Sequence, residues 1–179
     1  MLNMRNSTIM MFILGAALTR WIPHPPNATA IGAMALFAGF QSTSLLVALA
    51  LPLAALFLGD LMMGFHETMM FTYLGFGLVV GLSYFSKRIL QQSFVKKGLS
   101  VISMALLGSL IFFVVSNVGV WLTSSMYTHD LKGLAECFVM ALPFLDNQVV
   151  GDLVYTGLLM GSFEYLSVKN PQVFLTQKI

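Results

Sequence analysis

The stretch LLVALALPLAALFLGDLMMGF (residues 45–65) decides the fold class, with 21 residues and one formal charge. A helix needs roughly 17–25 predominantly apolar residues to cross a bilayer, and this run supplies them. The single charge is the anomaly. Asp60 sits between Gly59 and Leu61, and the same triplet returns at Gly151-Asp152-Leu153 within another apolar segment. An ionisable side chain at bilayer depth is costly unless it faces a cavity or a partner, so its default reading is functional. The repeated acid points to a chain that binds or moves something inside a membrane.

Composition carries the same message outward from that stretch. The 179 residues are 58% hydrophobic and 9% charged, which places the chain in the membrane class as one domain, residues 1–179. Qualifying windows are Ser7–Trp21, Ala28–Phe40, Leu45–Phe65, Met69–Phe85, Leu99–Leu122 and Val149–Val168. They predict an all-α polytopic bundle of about six transmembrane helices. Gly133–Leu145 is too short to cross alone and is expected to lie at the interface or to re-enter before the last helix. Arg5, the run Ile9–Leu18 and the small residues Gly15, Ala16 and Ala17 also resemble a signal peptide. Against cleavage, Ala28-Thr29-Ala30 lies beyond a proline-rich stretch and Arg20 follows the run directly, so a first membrane helix is expected. One cysteine, Cys137, excludes an intramolecular disulfide or a multi-cysteine metal site. No basic, aromatic-interleaved surface suggests nucleic acid.

Charge asymmetry orients the bundle. With a cytoplasmic N-terminus, the inside collects Arg5, Lys87, Arg88, Lys96, Lys97, Lys169 and Lys178, while the outside keeps Arg20 and Lys132. Seven against two satisfies the positive-inside rule and places both termini in the cytoplasm. All three histidines and six of the seven acids then fall toward the outer face. Asp60, Asn117 and Asp152 would lie within apolar helices on that side, which suggests an outward-facing cavity lined by them.

Each polar group has two readings. Asp60 and Glu67, seven apart, would share one face of a helix, yet Asp60 could equally form a structural ion pair with Arg20. Gln148, Asp152 and Tyr155 make one polar stripe on the last helix, for a ligand or for hydrogen bonds between helices. Asn117, Trp121 and Ser124 repeat the pattern on the fifth helix, where Trp121 also suits an interfacial belt. In Arg20-Trp21-Ile22-Pro23-His24-Pro25-Pro26-Asn27, three prolines stiffen the chain. That segment can hold His24 and Asn27 at a cavity mouth, or simply end one helix and cap the next with Asn27. His66 is a rim candidate or a loop residue. Cys137 reads as a buried apolar residue before it reads as a metal ligand. The 13 methionines form no repeating array of the kind a Cu(I) path would use. No nucleotide, zinc-protease or serine-hydrolase motif is present.

Order and spacing add a resemblance. The segments 20–27, Ala30 to Gly39, Pro52 to His66, Ser116 to Leu122, Ala141-Leu142-Pro143-Phe144 and Gly151 to Tyr155 resemble an uncharacterised family of small bacterial membrane proteins. More loosely, the chain is similar to the substrate-binding S components of energy-coupling-factor (ECF) vitamin transporters. That resemblance implies a six-helix protein of the bacterial inner membrane that captures a vitamin-like solute from outside. It also implies a transmembrane coupling protein and cytoplasmic ATPase subunits as partners. The A-x-x-x-A motif through which many S components dock is absent from the first helix here, so a solitary relative is the other arrangement. For a corrinoid ligand, the resemblance would offer His24, His66 or Cys137 to cobalt; no other cofactor is expected.

The expected site is therefore Asp60, Asn117 and Asp152 as inner wall, with Arg20, His24, Asn27, His66, Trp121, Gln148 and Tyr155 around them. Two readings from other classes stay open. One is an intramembrane enzyme using Asp60 and Asp152 as paired carboxylates. The other is an assembly subunit whose polar stripes serve packing alone.

Overall fold

A computed structural model describes residues 4–171. Six α-helices follow in order: α1 (Met4–Leu18), α2 (Ile31–Gln41), α3 (Leu45–Met63), α4 (Met69–Phe85), α5 (Phe94–Thr123) and α6 (Leu131–Lys169). Short 3-10 turns occupy Thr19–Trp21 and Lys87–Gln91, and no strand occurs among the described residues. The all-α expectation holds. Helices α3, α5 and α6 are long and apolar enough to cross a membrane, while α2 and α4 are shorter apolar helices. Leu46, Met62, Met70, Phe85 and Phe94 are each more than 70% exposed. So much exposed apolar side chain is what a bilayer, rather than water, accommodates.

Helix α2 is the hub. All eleven of its residues are buried, and it touches each of the other five helices. At 1.5 Å per residue it spans about 16 Å, roughly half a hydrocarbon core. A helix that both starts and stops inside the protein leaves its terminal N–H and C=O groups without water, so other elements must satisfy them. At its C-terminal end the Arg5 Nη2 donates to the Gln41 carbonyl at 2.9 Å, the Lys87 ammonium donates to the Ser42 carbonyl, and the Tyr84 hydroxyl reaches the Thr43 carbonyl at 3.3 Å. Two cations thus meet the negative end of the helix dipole. Burial, with the charge of Arg5 nearby, holds the Lys87 ammonium below the usual lysine range. Ser44 then caps α3 by accepting the Val47 N–H at 3.2 Å.

The structure revises several boundaries. Gly133–Leu145 is no separate segment before the last helix: it forms the first half of α6, a helix of 39 residues. Pro143 lies inside that helix, where neighbouring helices make the lost donor tolerable. The segment is held along α5 by the edge-on ring pair Phe113–Phe138 at 5.5 Å and by the Cys137 thiol, 3.5 Å from the Asn117 carbonyl. Asp146, Asn147, Gln148 and Asp152 therefore stand in mid-helix rather than at its start. Helix α2 begins at Ile31, three residues late, because the Ala28 N–H closes a turn onto the Pro25 carbonyl at 3.0 Å. Asn27 supplies the positive φ (+65°) that the third residue of a type II turn requires, so it is a turn residue and not the cap of α2. Helix α3 ends at Met63, and the chain turns at Gly64 (φ +99°). Glu67 thus leaves the helix and shares no face with Asp60.

The bundle has two unlike ends. One gathers Arg5, the 42–44 connection, the Lys87–Gln91 turn and an ion pair from Lys97 to Glu164 at 2.7 Å. The other gathers the proline-rich connection, the 64–68 loop and the loop before α6. Lys178, counted above with the basic side, lies outside the described residues.

Candidate functional site

At the proline-rich end a cavity of about 280 Å³ opens between the α1–α2 connection, α3, α4, α5 and α6. Six of the ten sequence candidates line it: Arg20, His24, Asn27, His66, Gln148 and Asp152. An adjoining chamber of about 330 Å³ shares Asn27, Thr72 and Phe112 with it and adds Asn117 and Cys137. Trp121 and Tyr155 line neither. The Trp121 indole N–H donates to the Thr128 carbonyl at 2.9 Å and its ring meets His129 edge-on, which fixes the loop before α6. Tyr155 packs against the apolar core.

Asp60 sits behind the cavity wall, 1% exposed. Its Oδ1 accepts from the Arg20 Nη2 at 2.7 Å and its Oδ2 from the Tyr73 hydroxyl at 2.7 Å. The other guanidinium nitrogen, Nη1, reaches the Leu56 carbonyl at 3.2 Å. Gly59 makes this possible, because a Cβ there would stand 2.7 Å from that nitrogen. The ion-pair reading of Asp60 is thus the one the geometry realises.

Asp152 serves a different element. Its Oδ2 accepts from the Ser109 hydroxyl at 2.6 Å and from the Gln148 Nε2 at 3.5 Å. The first turn of α2 faces the same carboxylate, with Gly32 set directly against its Oδ1. Ala30 at the start of α2 has no capping side chain, and Asp152 on α6 sets a negative charge against the positive end of this helix. The Thr19 hydroxyl takes the Ala30 N–H at 3.1 Å. Gly32 is what lets the carboxylate come so close, since any Cβ there would overlap it.

Gln148 is 4% exposed, and its Oε1 has no hydrogen-bond partner. The amide orientation is set by chemistry: a carboxylate only accepts, so the NH₂ faces Asp152 and the carbonyl oxygen is left as the free acceptor. Phe76 and Phe112, stacked with centroids 4.2 Å apart, both line the same cavity. His24 and His66 stand at its exposed mouth, their Nδ1 atoms 2.8 Å from the Pro25 carbonyl and 3.0 Å from the Thr68 hydroxyl.

Among the described residues no three His, Cys, Asp or Glu side chains gather into a metal-binding group. His24 and His66 line the first chamber, whereas Cys137 belongs to the second. Nor does a hydrogen bond join Asp60 to Asp152 among the described residues; each carboxylate has its own donors. Sequence reasoning did not anticipate Tyr73, Ser109, Phe76 or Phe112. Ser109 carried a weak signal as a polar residue in an apolar helix, and the two phenylalanines carried none.

No curated protein and no solved structure matches the chain. One family profile matches residues 1–173. By that match, which takes in every residue of the cavity, the chain belongs to a family of unknown function (DUF6580).

Proposed function

We propose that this protein binds a small polar solute in the chamber at its proline-rich end and delivers it across the membrane, in the manner of an S component of an ECF transporter. The observation that carries this reading is the free acceptor on Gln148. More than nine in ten buried polar groups find a partner in native structures, and the Asp60 and Asp152 carboxylates both do. The Gln148 oxygen lines the cavity, where a solute would complete it, whereas the buried Ser42, Ser124 and Thr156 hydroxyls that also lack a partner do not line it. Size supports a modest ligand: small-molecule sites run from roughly 300 to 1,000 Å³, and the first chamber, at about 280 Å³, falls just below that range. A single ring or short chain suits it better than a macrocycle. The positive-inside bias supports a bacterial inner-membrane location with both termini cytoplasmic and the cavity facing outward. Energy for release inward would come from a transmembrane coupling protein with ATPase subunits.

Thr72 lines both chambers and provides the test. In a Cys137→Ser background, Thr72→Cys is expected to react with a membrane-impermeant maleimide added outside intact cells. Small-molecule extract of the host should protect it. Labelling only from the cytoplasmic side, or no protection by any extract fraction, would sink the reading.

A further inference from the structure

We infer that the solute carries a protonated amino group, which docks between Asp152 and the Gln148 Oε1 with its body against Phe76 and Phe112. The inference rests on the solute-binding reading above and names the class of solute. It begins with the charges that face the cavity. Arg20 is already neutralised by Asp60 at 2.7 Å. The other ion pairs among the described residues are Lys97–Glu164 and Lys132–Glu136, so no cation there pairs with Asp152. Its hydrogen-bond partners are a hydroxyl and an amide. Both bonds end on Oδ2, and neither cancels the charge. The remaining titratable groups at the cavity are His24 and His66, both out at the exposed mouth.

The inner corner of the cavity thus holds one uncompensated carboxylate beside one unpartnered carbonyl oxygen. Both are acceptors. An ammonium group is the complement, with three donors, no acceptor and one positive charge. The aromatic wall agrees, since a cation gains from the face of a phenyl ring within about 6 Å and a flat apolar body packs against it. A carboxylate-bearing solute would instead set like charge against Asp152 in a site of low dielectric, and neither acceptor would gain a donor.

Three probes of equal size separate these cases: benzylamine, benzyl alcohol and benzoate, each titrated into the full chain in nanodiscs near neutral pH by calorimetry. Benzylamine should bind at least about ten-fold more tightly than the alcohol, a gap of about 1.4 kcal/mol, and benzoate should not bind. Gln148→Met should cost the amine about ten-fold or more while the protein stays folded. The amine proposal is overturned if benzoate or the alcohol binds as well as the amine, or if Gln148→Met leaves the amine's Kd unchanged. A co-purifying acid would overturn it too but would keep the solute-binding reading. No probe binding and no co-purifying molecule would remove both.

Discussion

Replacing Gln148 with methionine separates a ligand-binding residue from packing glue, because the two roles predict opposite changes in stability. The side chain is 4% exposed and its Oε1 has no partner; leaving such a group buried costs about 1–3 kcal/mol. Methionine removes that cost at similar volume and the same unbranched shape, and such swaps usually cost less than about 1.5 kcal/mol. What is lost is the amide contact to Asp152, at 3.5 Å the outer limit of a hydrogen bond, worth at most about 1.5 kcal/mol. The Ser109 hydroxyl still holds the carboxylate. The free protein should therefore be unchanged, or more stable by about 1–2 kcal/mol. Solute binding should weaken by about ten-fold or more. Thermal unfolding in detergent, followed by tryptophan fluorescence and paired with titration of the solute, reads both quantities. A variant destabilised by more than about 1 kcal/mol with unaltered affinity would refute the reasoning and make Gln148 a structural residue.

Three further expectations follow from the same geometry. Asp60→Leu or Arg20→Met alone leaves one charge of the pair without its partner and should cost about 3–5 kcal/mol, whereas the double variant Asp60→Leu with Arg20→Met should recover most of it; an additive double-mutant cycle in unfolding titrations would contradict the pair. Gly32→Ala drives a methyl group into the Asp152 carboxylate and should destabilise by about 1–3 kcal/mol or more, with the loss seen as faster amide exchange in the first turn of α2. Asp130 accepts the Gly133 N–H at 2.7 Å and then the Thr128 hydroxyl at 2.9 Å, which together hold its carboxyl below the usual range. Because its folded value is depressed, the cap's contribution is full above the unfolded carboxyl value of about 4 and fades as pH falls through the lower folded value. Amide protection at the start of α6 should drop in that window and become flat with pH in Asp130→Asn.

The fold class was legible because spanning length and low charge are properties of local composition. Met69–Phe85 was read to the residue, since loop signals bound it on both sides. Gly133–Leu145 was not, because continuity through Pro143 depends on packing against Phe113 and Asn117 of α5, which no local pattern reports. The polar residues were found more readily than their partners. Asp60 and Asp152 announced themselves by depth, and the Arg20–Asp60 ion pair was one of the two readings of Asp60, but Tyr73, Ser109 and the N-terminus of α2, which complete the two sites, come from elements far apart in the chain. Asn27 shows the same limit. A loop asparagine before a helix suits a cap or a turn equally, and the Pro25–Ala28 closure settles which. Trp121 and Tyr155 fell on the right stripes by spacing, yet helix rotation turned them toward a loop and the core.

The measurement that bears most directly on solute binding is native mass spectrometry of the protein purified gently from its own host, with Gln148→Met prepared alongside. The account predicts a small molecule bound one to one to the native chain, carrying a basic amino group and missing from the variant. A clean apo mass for both proteins, with a tightly held protein partner in place of any small molecule, would contradict it and make the cavity a feature of assembly.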